Sequence, residues 1–162
     1  MVMDRGMAGI LLGCVLAWGA SLWWWDRRHG RLPDALTLPA AALVVLASCW
    51  GGHPFAVLGG LGWAGTYALL ALASRGGIGG GDVKLALSLG TAAAWGGGVA
   101  AVLGAVLIAN ALAVGEMLWR RSARHAHGPA MLLGTALSLG IMFVLVGVEG
   151  LWAGYYASLT SR

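Results

Sequence analysis

From Val83 to Trp119 the chain reads VKLALSLGTAAAWGGGVAAVLGAVLIANALAVGEMLW, and how this run is divided decides the fold. Its only charged side chains are Lys84 near the start and Glu116 near the end. A spanning helix needs roughly 17 to 25 apolar residues. The triplet Gly96-Gly97-Gly98 interrupts the run, and glycines in a helical pattern mark a break. The run is therefore read as two spans, Val83 to about Trp95 and Val99–Trp119. The first is short for a full crossing, at about 13 residues, so one long broken helix is the competing reading.

Charge placement decides between the two. Working outward, apolar spans are read at Met7–Trp25, Ala35–Trp50, Phe55–Ala73 and Pro129–Val148. With six spans, the loops after spans 1, 3 and 5 share one side. They hold Arg27, Arg28, Arg31, Arg75, Arg120, Arg121 and Arg124, with Lys84 close by. The loops near Gly51–Pro54 and Gly96–Gly98 hold no Lys or Arg. Positive charge marks the cytoplasmic side, and merging spans 4 and 5 would put the Arg120–Arg124 cluster outside. The expected fold is all-α: a polytopic membrane protein with six transmembrane helices, both termini extracytoplasmic, in a single domain over 1–162. The tail Glu149–Arg162 is too short for another crossing, and no internal repeat is present.

Composition agrees. Of 162 residues, 59% are hydrophobic and 10% charged, against roughly 25% charged in an average soluble domain. Gly at 28 and Trp at 9 are both high, as expected of membrane helices and their interfaces. The net charge of +4 reflects loop positives that orient the chain in a bilayer rather than bind nucleic acid. Cys14 and Cys49 lie inside apolar runs without a CxxC pair, which argues against zinc and disulfide alike and for small apolar packing groups. Met7–Trp25 is too long and too aromatic for a cleaved signal segment and lacks an AxA-like site, so it reads as a retained helix.

Six acidic residues remain to carry chemistry, and ionisable groups near hydrocarbon are functional candidates by default. Asp26 ends span 1, directly after Trp23-Trp24-Trp25. Asp82 ends the run Gly76-Gly77-Ile78-Gly79-Gly80-Gly81 and opens span 4. With six spans both reach the same membrane boundary. Two carboxylates brought together cannot both ionise easily, so one stays protonated as acid while the other serves as base. That is the aspartic-protease arrangement, in which a water between the pair attacks a peptide carbonyl. The glycines before Asp82 allow a substrate strand to approach the backbone closely. Their spacing fits neither the dinucleotide fingerprint nor the P-loop. The bland readings are a solvated Asp26 or a partner of Arg27–Arg31, and an Asp82 that caps span 4.

Other groups have simpler readings. Asp34 is expected to cap span 2 rather than touch substrate. Lys84 either tunes the carboxylates or snorkels to the headgroups. His29 is a solvated loop residue rather than a proton shuttle. Glu116 pairs with Arg120 at i,i+4. Arg120, Arg121 and Arg124 meet anionic headgroups, and the tryptophans at span ends anchor the interface.

The stretch Asp26-Arg27-Arg28-His29-Gly30-Arg31-Leu32-Pro33-Asp34-Ala35-Leu36-Thr37-Leu38-Pro39 resembles the first signature of type IV prepilin peptidases. Gly79-Gly80-Gly81-Asp82-Val83-Lys84-Leu85 is similar to the second, the GxGD motif followed by x-Lys-Leu. Gly128-Pro129 with Gly134 is a weaker third match. The resemblance covers nearly the whole chain. It implies an aspartyl endopeptidase with Asp26 and Asp82 as the catalytic pair, supported by Gly79, Gly81, Lys84, Pro33 and Asp34, and with no metal or other cofactor. The implied substrate is the leader of a type IV pilin-like precursor, cut at the cytoplasmic face of the bacterial inner membrane, with membrane lipids as the other partner. Larger members of the family carry an extra cytoplasmic segment, often with paired CxxC motifs, linked to N-methylation. With about six residues before span 1, this chain looks like the short, peptidase-only branch. A small transporter or assembly scaffold, with the acids on an ion path, is the alternative; such sites usually lie at the midplane. The GxGD motif also resembles presenilin-type enzymes, but no Pro-Ala-Leu motif follows Asp82.

Overall fold

The computed structural model of the chain describes residues 5–74, 79–120 and 127–160. It contains α1 (Arg5–His29), α2 (Asp34–Trp50), α3 (Ala56–Ala73), α4 (Gly80–Arg120) and α5 (His127–Thr160). No strand occurs among the described residues, and the all-α expectation holds. Three stretches, Ala56–Ala73, Gly80–Trp119 and His127–Gly147, are long and apolar enough to cross a membrane, while apolar α2 is shorter. The outside of the bundle is apolar. Ile10, Leu43, Leu69, Leu107 and Phe143 are each more than two-thirds exposed, whereas Thr37, Ser48, Ser88, Thr91 and Ser138 are buried. This is the pattern of a protein solvated by lipid rather than water.

Helix α4 is folded back on itself. Its helical geometry fails at Gly97 and Gly98, and Gly98 has φ +64° and ψ −158°, a combination essentially confined to glycine. A straight helix would hold Asp82 and Glu116 about 50 Å apart at 1.5 Å per residue. Instead both lie near the end of α1. Gly81 packs on Leu32, and Glu116 pairs with Arg27. At the other end, a Cβ on Gly59 of α3 would lie within 3.0 Å of both Ala94 and Val102, one on each arm. The expected break at Gly96–Gly98 is thus present as a reversal within one element, so the described residues form five helices by continuous count.

The folded-back helix is the centre of the bundle, packed chiefly by α3 and α5. Missing side chains make this possible. A Cβ on Gly60 would strike Thr91 Oγ1 and Leu87 O, and one on Gly90 would meet Gly59 O at 2.8 Å. On the second arm, a Cβ on Gly134 of α5 would meet Ala109 N at 2.7 Å. Ser138 Oγ there donates to Ala101 O at 2.8 Å. Close approach through small residues, with a hydroxyl between helices, is how membrane helices associate without a hydrophobic driving force.

Two boundaries differ from the sequence reading. Helix α1 runs past Asp26 to His29 because Arg27 and Arg28 favour helix, and it stops where Gly30 takes φ +60° and returns its N–H to Asp26 O at 2.8 Å. Helix α5 continues beyond Val148 to Thr160, with no proline to stop it. Cys14 and Cys49 are exposed, on the lipid-facing side. The apolar runs that hold them turn those faces outward.

The close α3–α4 contact is testable with a paired substitution. Gly60→Ala should cost roughly 1–3 kcal/mol from overpacking, read as a lower thermal midpoint in detergent. Gly62→Ala, with nothing within 4 Å of its new carbon, should stay close to wild type.

Candidate active site

Asp26 lies in the last turn of α1, after the apolar run, and is only 5% exposed. Its Oδ2 accepts the Gly128 N–H at 3.0 Å. Gly128 is the second residue of α5, and the first amides of a helix have no partner within it and carry partial positive charge. The approach needs glycine: a Cβ there would lie 2.9 Å from Asp26 Oδ2 and 3.3 Å from Leu32. Burial pushes the Asp26 carboxyl above its usual value, and the Gly128 N–H opposes that in part.

Leu32, itself buried, joins this group to the second acid. A Cβ on Gly81 would come within 2.7 Å of Leu32 Cβ, so Leu32 is wedged between the glycine before Asp82 and the glycine that bonds Asp26. Asp82 is the third residue of α4. Gly79 O accepts the Asp82 N–H at 3.0 Å, and the Asp82 carboxyl takes a backbone hydrogen bond from Gly79 in return, half of a capping box. The charge of Asp26 acts repulsively on Asp82. Two acids distant in sequence therefore form one electrostatic unit, each against the N-terminus of a helix. Such a unit titrates as a pair.

Among the surrounding groups, Asp34 departs from expectation. Asp34 does not cap α2: extended Pro33 (ψ 136°) flanks the helix, no side-chain cap is made, and Asp34 is the first helical residue. It pairs instead with Lys84 Nζ at 2.6 Å, tying the segment after α1 to the start of α4. Lys84 thus has a carboxylate partner outside the acid pair. Glu116 reaches Arg27 of α1 at 3.4 Å, a pairing that chain reversal at Gly97–Gly98 makes available; the expected pairing with Arg120 falls on a side chain outside those described. His29 is exposed, as expected, with its ring stacked on Trp25 at 4.6 Å. Trp50 and Trp119, at helix ends, are almost fully exposed. Arg75, Gly76, Gly77, Ile78, Arg121 and Arg124 lie outside the described residues.

The sequence reading missed three residues here. Leu32 carried no signal beyond its place in the motif. Tyr67 sits within the apolar run of α3, fully buried, and its hydroxyl is 2.8 Å from Nε2 of His127. His127 falls in the stretch read as a basic loop, yet it is the first residue of α5. Among the described residues no cluster of three or more His, Cys, Asp or Glu groups is placed to hold a metal.

The sequence profile of the type IV leader peptidase family matches residues 11–114, a stretch that includes Asp26, Asp34, Asp82 and Lys84. No curated protein and no solved structure matches the chain.

Two outcomes follow from these contacts. Because the folded state raises the Asp26 value, it holds a proton that the unfolded chain releases, so stability falls as pH climbs from the usual value of 3.8 through the raised one. Asp26→Asn should remove this loss. Its thermal midpoint should exceed wild type at neutral pH by roughly 2–4 °C per kcal/mol relieved, and the two should converge in acid. Lys84→Met, which breaks a largely solvated pair, should cost under about 1 kcal/mol in the same assay.

Proposed function

Because the chain belongs to the type IV leader peptidase family, we propose that it is an aspartyl endopeptidase that removes the leader of type IV pilin-like precursors, with Asp26 and Asp82 as the catalytic pair. The observation that carries this reading is the pairing itself: acids from α1 and α4, brought together across Leu32, with Asp26 buried and its charge felt at Asp82.

One carboxylate and one carboxylic acid would share a water. The ionised member takes a proton from that water as its oxygen attacks the scissile carbonyl carbon, and the neutral member donates its proton to the carbonyl oxygen. Collapse of the tetrahedral diol breaks the C–N bond: the departing amine takes up the proton held by the first member, and a diol hydroxyl returns a proton to the second, which re-forms the carbonyl and restores the starting pair. Either acid can begin as the base. Gly79 lets an extended substrate segment approach the backbone beside Asp82, while Gly81 makes room for Leu32. The Lys84–Asp34 pair holds the two motif segments in register, with Pro33 setting the entry to α2.

In the membrane we propose six crossings, the arms of α4 counting separately, with both termini extracytoplasmic and the acid pair at the cytoplasmic face of the inner membrane. The arginines at the acid-bearing end support this orientation. Residues 1–162 then form a single peptidase domain. Family membership weighs against the transporter or scaffold alternative.

Asp26→Asn and Asp82→Asn should each lower precursor cleavage by at least about 10²-fold while the protein still accumulates, folded, in membranes. The readout is conversion of a pilin-like precursor to its shortened form, with the new N-terminus sequenced. Wild-type cleavage in either variant would end the proposal.

A further inference from the structure

We propose that Tyr67 is a positioning residue for the acid pair: by bonding His127 it anchors the N-terminus of α5 so that the Gly128 amide stays on the Asp26 carboxylate. The inference rests on the peptidase reading above for its effect on cleavage, but not for its effect on Asp26 itself.

A buried tyrosine normally finds a partner for its hydroxyl. What distinguishes Tyr67 is which partner it has. His127 is adjacent in the chain to Gly128, whose N–H reaches Asp26 at 3.0 Å. The Tyr67 hydroxyl and His127 Nε2 are 2.8 Å apart. With its proton on Nδ1 the imidazole accepts from the hydroxyl, and with its proton on Nε2 it donates to the hydroxyl oxygen, so either tautomer keeps the link. The phenol ring is fixed on both sides. Trp63 lies edge-on at 6.0 Å and 86°, and the His127 ring faces it at 5.5 Å and 40°. A rigid aromatic stack on α3 therefore ends, through one hydrogen bond and one peptide link, at a donor to Asp26.

The consequence is chemical as well as structural. A hydrogen bond to the ionised form of a carboxyl favours ionisation. Asp82 of the first arm of α4 is the acid coupled to Asp26; Glu116 of the second arm reaches its neighbour Arg27, and His127 of α5 precedes its amide donor. Arg27 and His29 lie on its own helix, Tyr67 on α3, and the Asp34–Lys84 pair bridges α2 and α4. Arg27 is engaged with Glu116, and Lys84 with Asp34. A loosened α5 end would leave Asp26 buried beside Asp82 without its amide donor, and the acid pair would release its first proton at higher pH.

The test compares Tyr67→Phe, His127→Ala and His127→Gln with wild type in two assays on purified full-length protein in lipid nanodiscs. The first titrates, without substrate, the carboxyl infrared band that Asp26→Asn removes. The second measures the pH profile of precursor cleavage. Tyr67→Phe should move the band midpoint and the acid limb of kcat upward by about one pH unit, the equivalent of one hydrogen bond to a charged group. KM should be unchanged, and kcat should approach wild type above the shifted acid limb, before the second proton of the pair is lost. His127→Ala should reproduce the shift and stands in for Tyr67→Phe should that variant fail to fold. His127→Gln, which can still bond the phenol, should restore the wild-type midpoint. An unmoved band, or kcat lowered equally at every pH, would overturn the inference, because a purely structural tyrosine behaves that way. A shifted band in a wild-type protein that cleaves nothing would leave the anchoring intact and remove the peptidase reading instead.

Discussion

Backbone contact around α4 is the constraint on which everything else depends. Helices normally keep 8–10 Å between their axes because side chains intervene. Here Gly59 and Gly60 meet Gly90 and Thr91, and Gly134 meets Ala105 and Ala109. Lipid offers no hydrophobic reward for bringing helices together, so van der Waals fit and interhelical bonds such as Ser138 to Ala101 must do it. With α3 and α5 seated this closely on the two arms, Tyr67 and His127 come into bonding distance, and the start of α5 arrives at the end of α1. The acid pair is a product of packing at positions far from it.

Three described cations close to the acids in sequence are engaged elsewhere. Arg27 and Lys84 adjoin Asp26 and Asp82 in sequence, yet each is paired elsewhere, with Glu116 and Asp34. Arg28 lies over the Trp24 ring at 4.8 Å. A cation against either member of the pair would favour two ionised carboxylates and remove the shared proton that the proposed mechanism requires. Backbone amides from Gly128 and Gly79 supply the stabilisation instead, and they do so without a full opposing charge.

How far sequence reasoning reached follows from how local each feature is. Apolar runs such as Phe55–Ala73 announce helices by length and composition alone. Gly96-Gly97-Gly98 marks a break by chemistry that needs no partner. Asp26 and Asp82 stood out because acids are rare in such a chain and because both lie in motif-like stretches. Tertiary pairing was out of reach. Asp34 with Lys84, Arg27 with Glu116 and Tyr67 with His127 join residues separated by 50 to 89 positions, and nothing in a local pattern selects one distant partner over another. The favoured local readings, a cap for Asp34 and an i,i+4 neighbour for Glu116, were built from near neighbours. Packing replaced the first, and a contact across the bundle drew in the second.

The reversal at Gly97–Gly98 also bears on how such a chain is made. In the proposed arrangement its two arms are joined by a tip without a single charged side chain, so the pair can enter a bilayer together, the tip crossing at little electrostatic cost. Leu139 and Met142 of α5 pack over Gly96 and Gly97, yet they are synthesised later. The nascent hairpin therefore gains this cover only after α5 has followed it out of the ribosome.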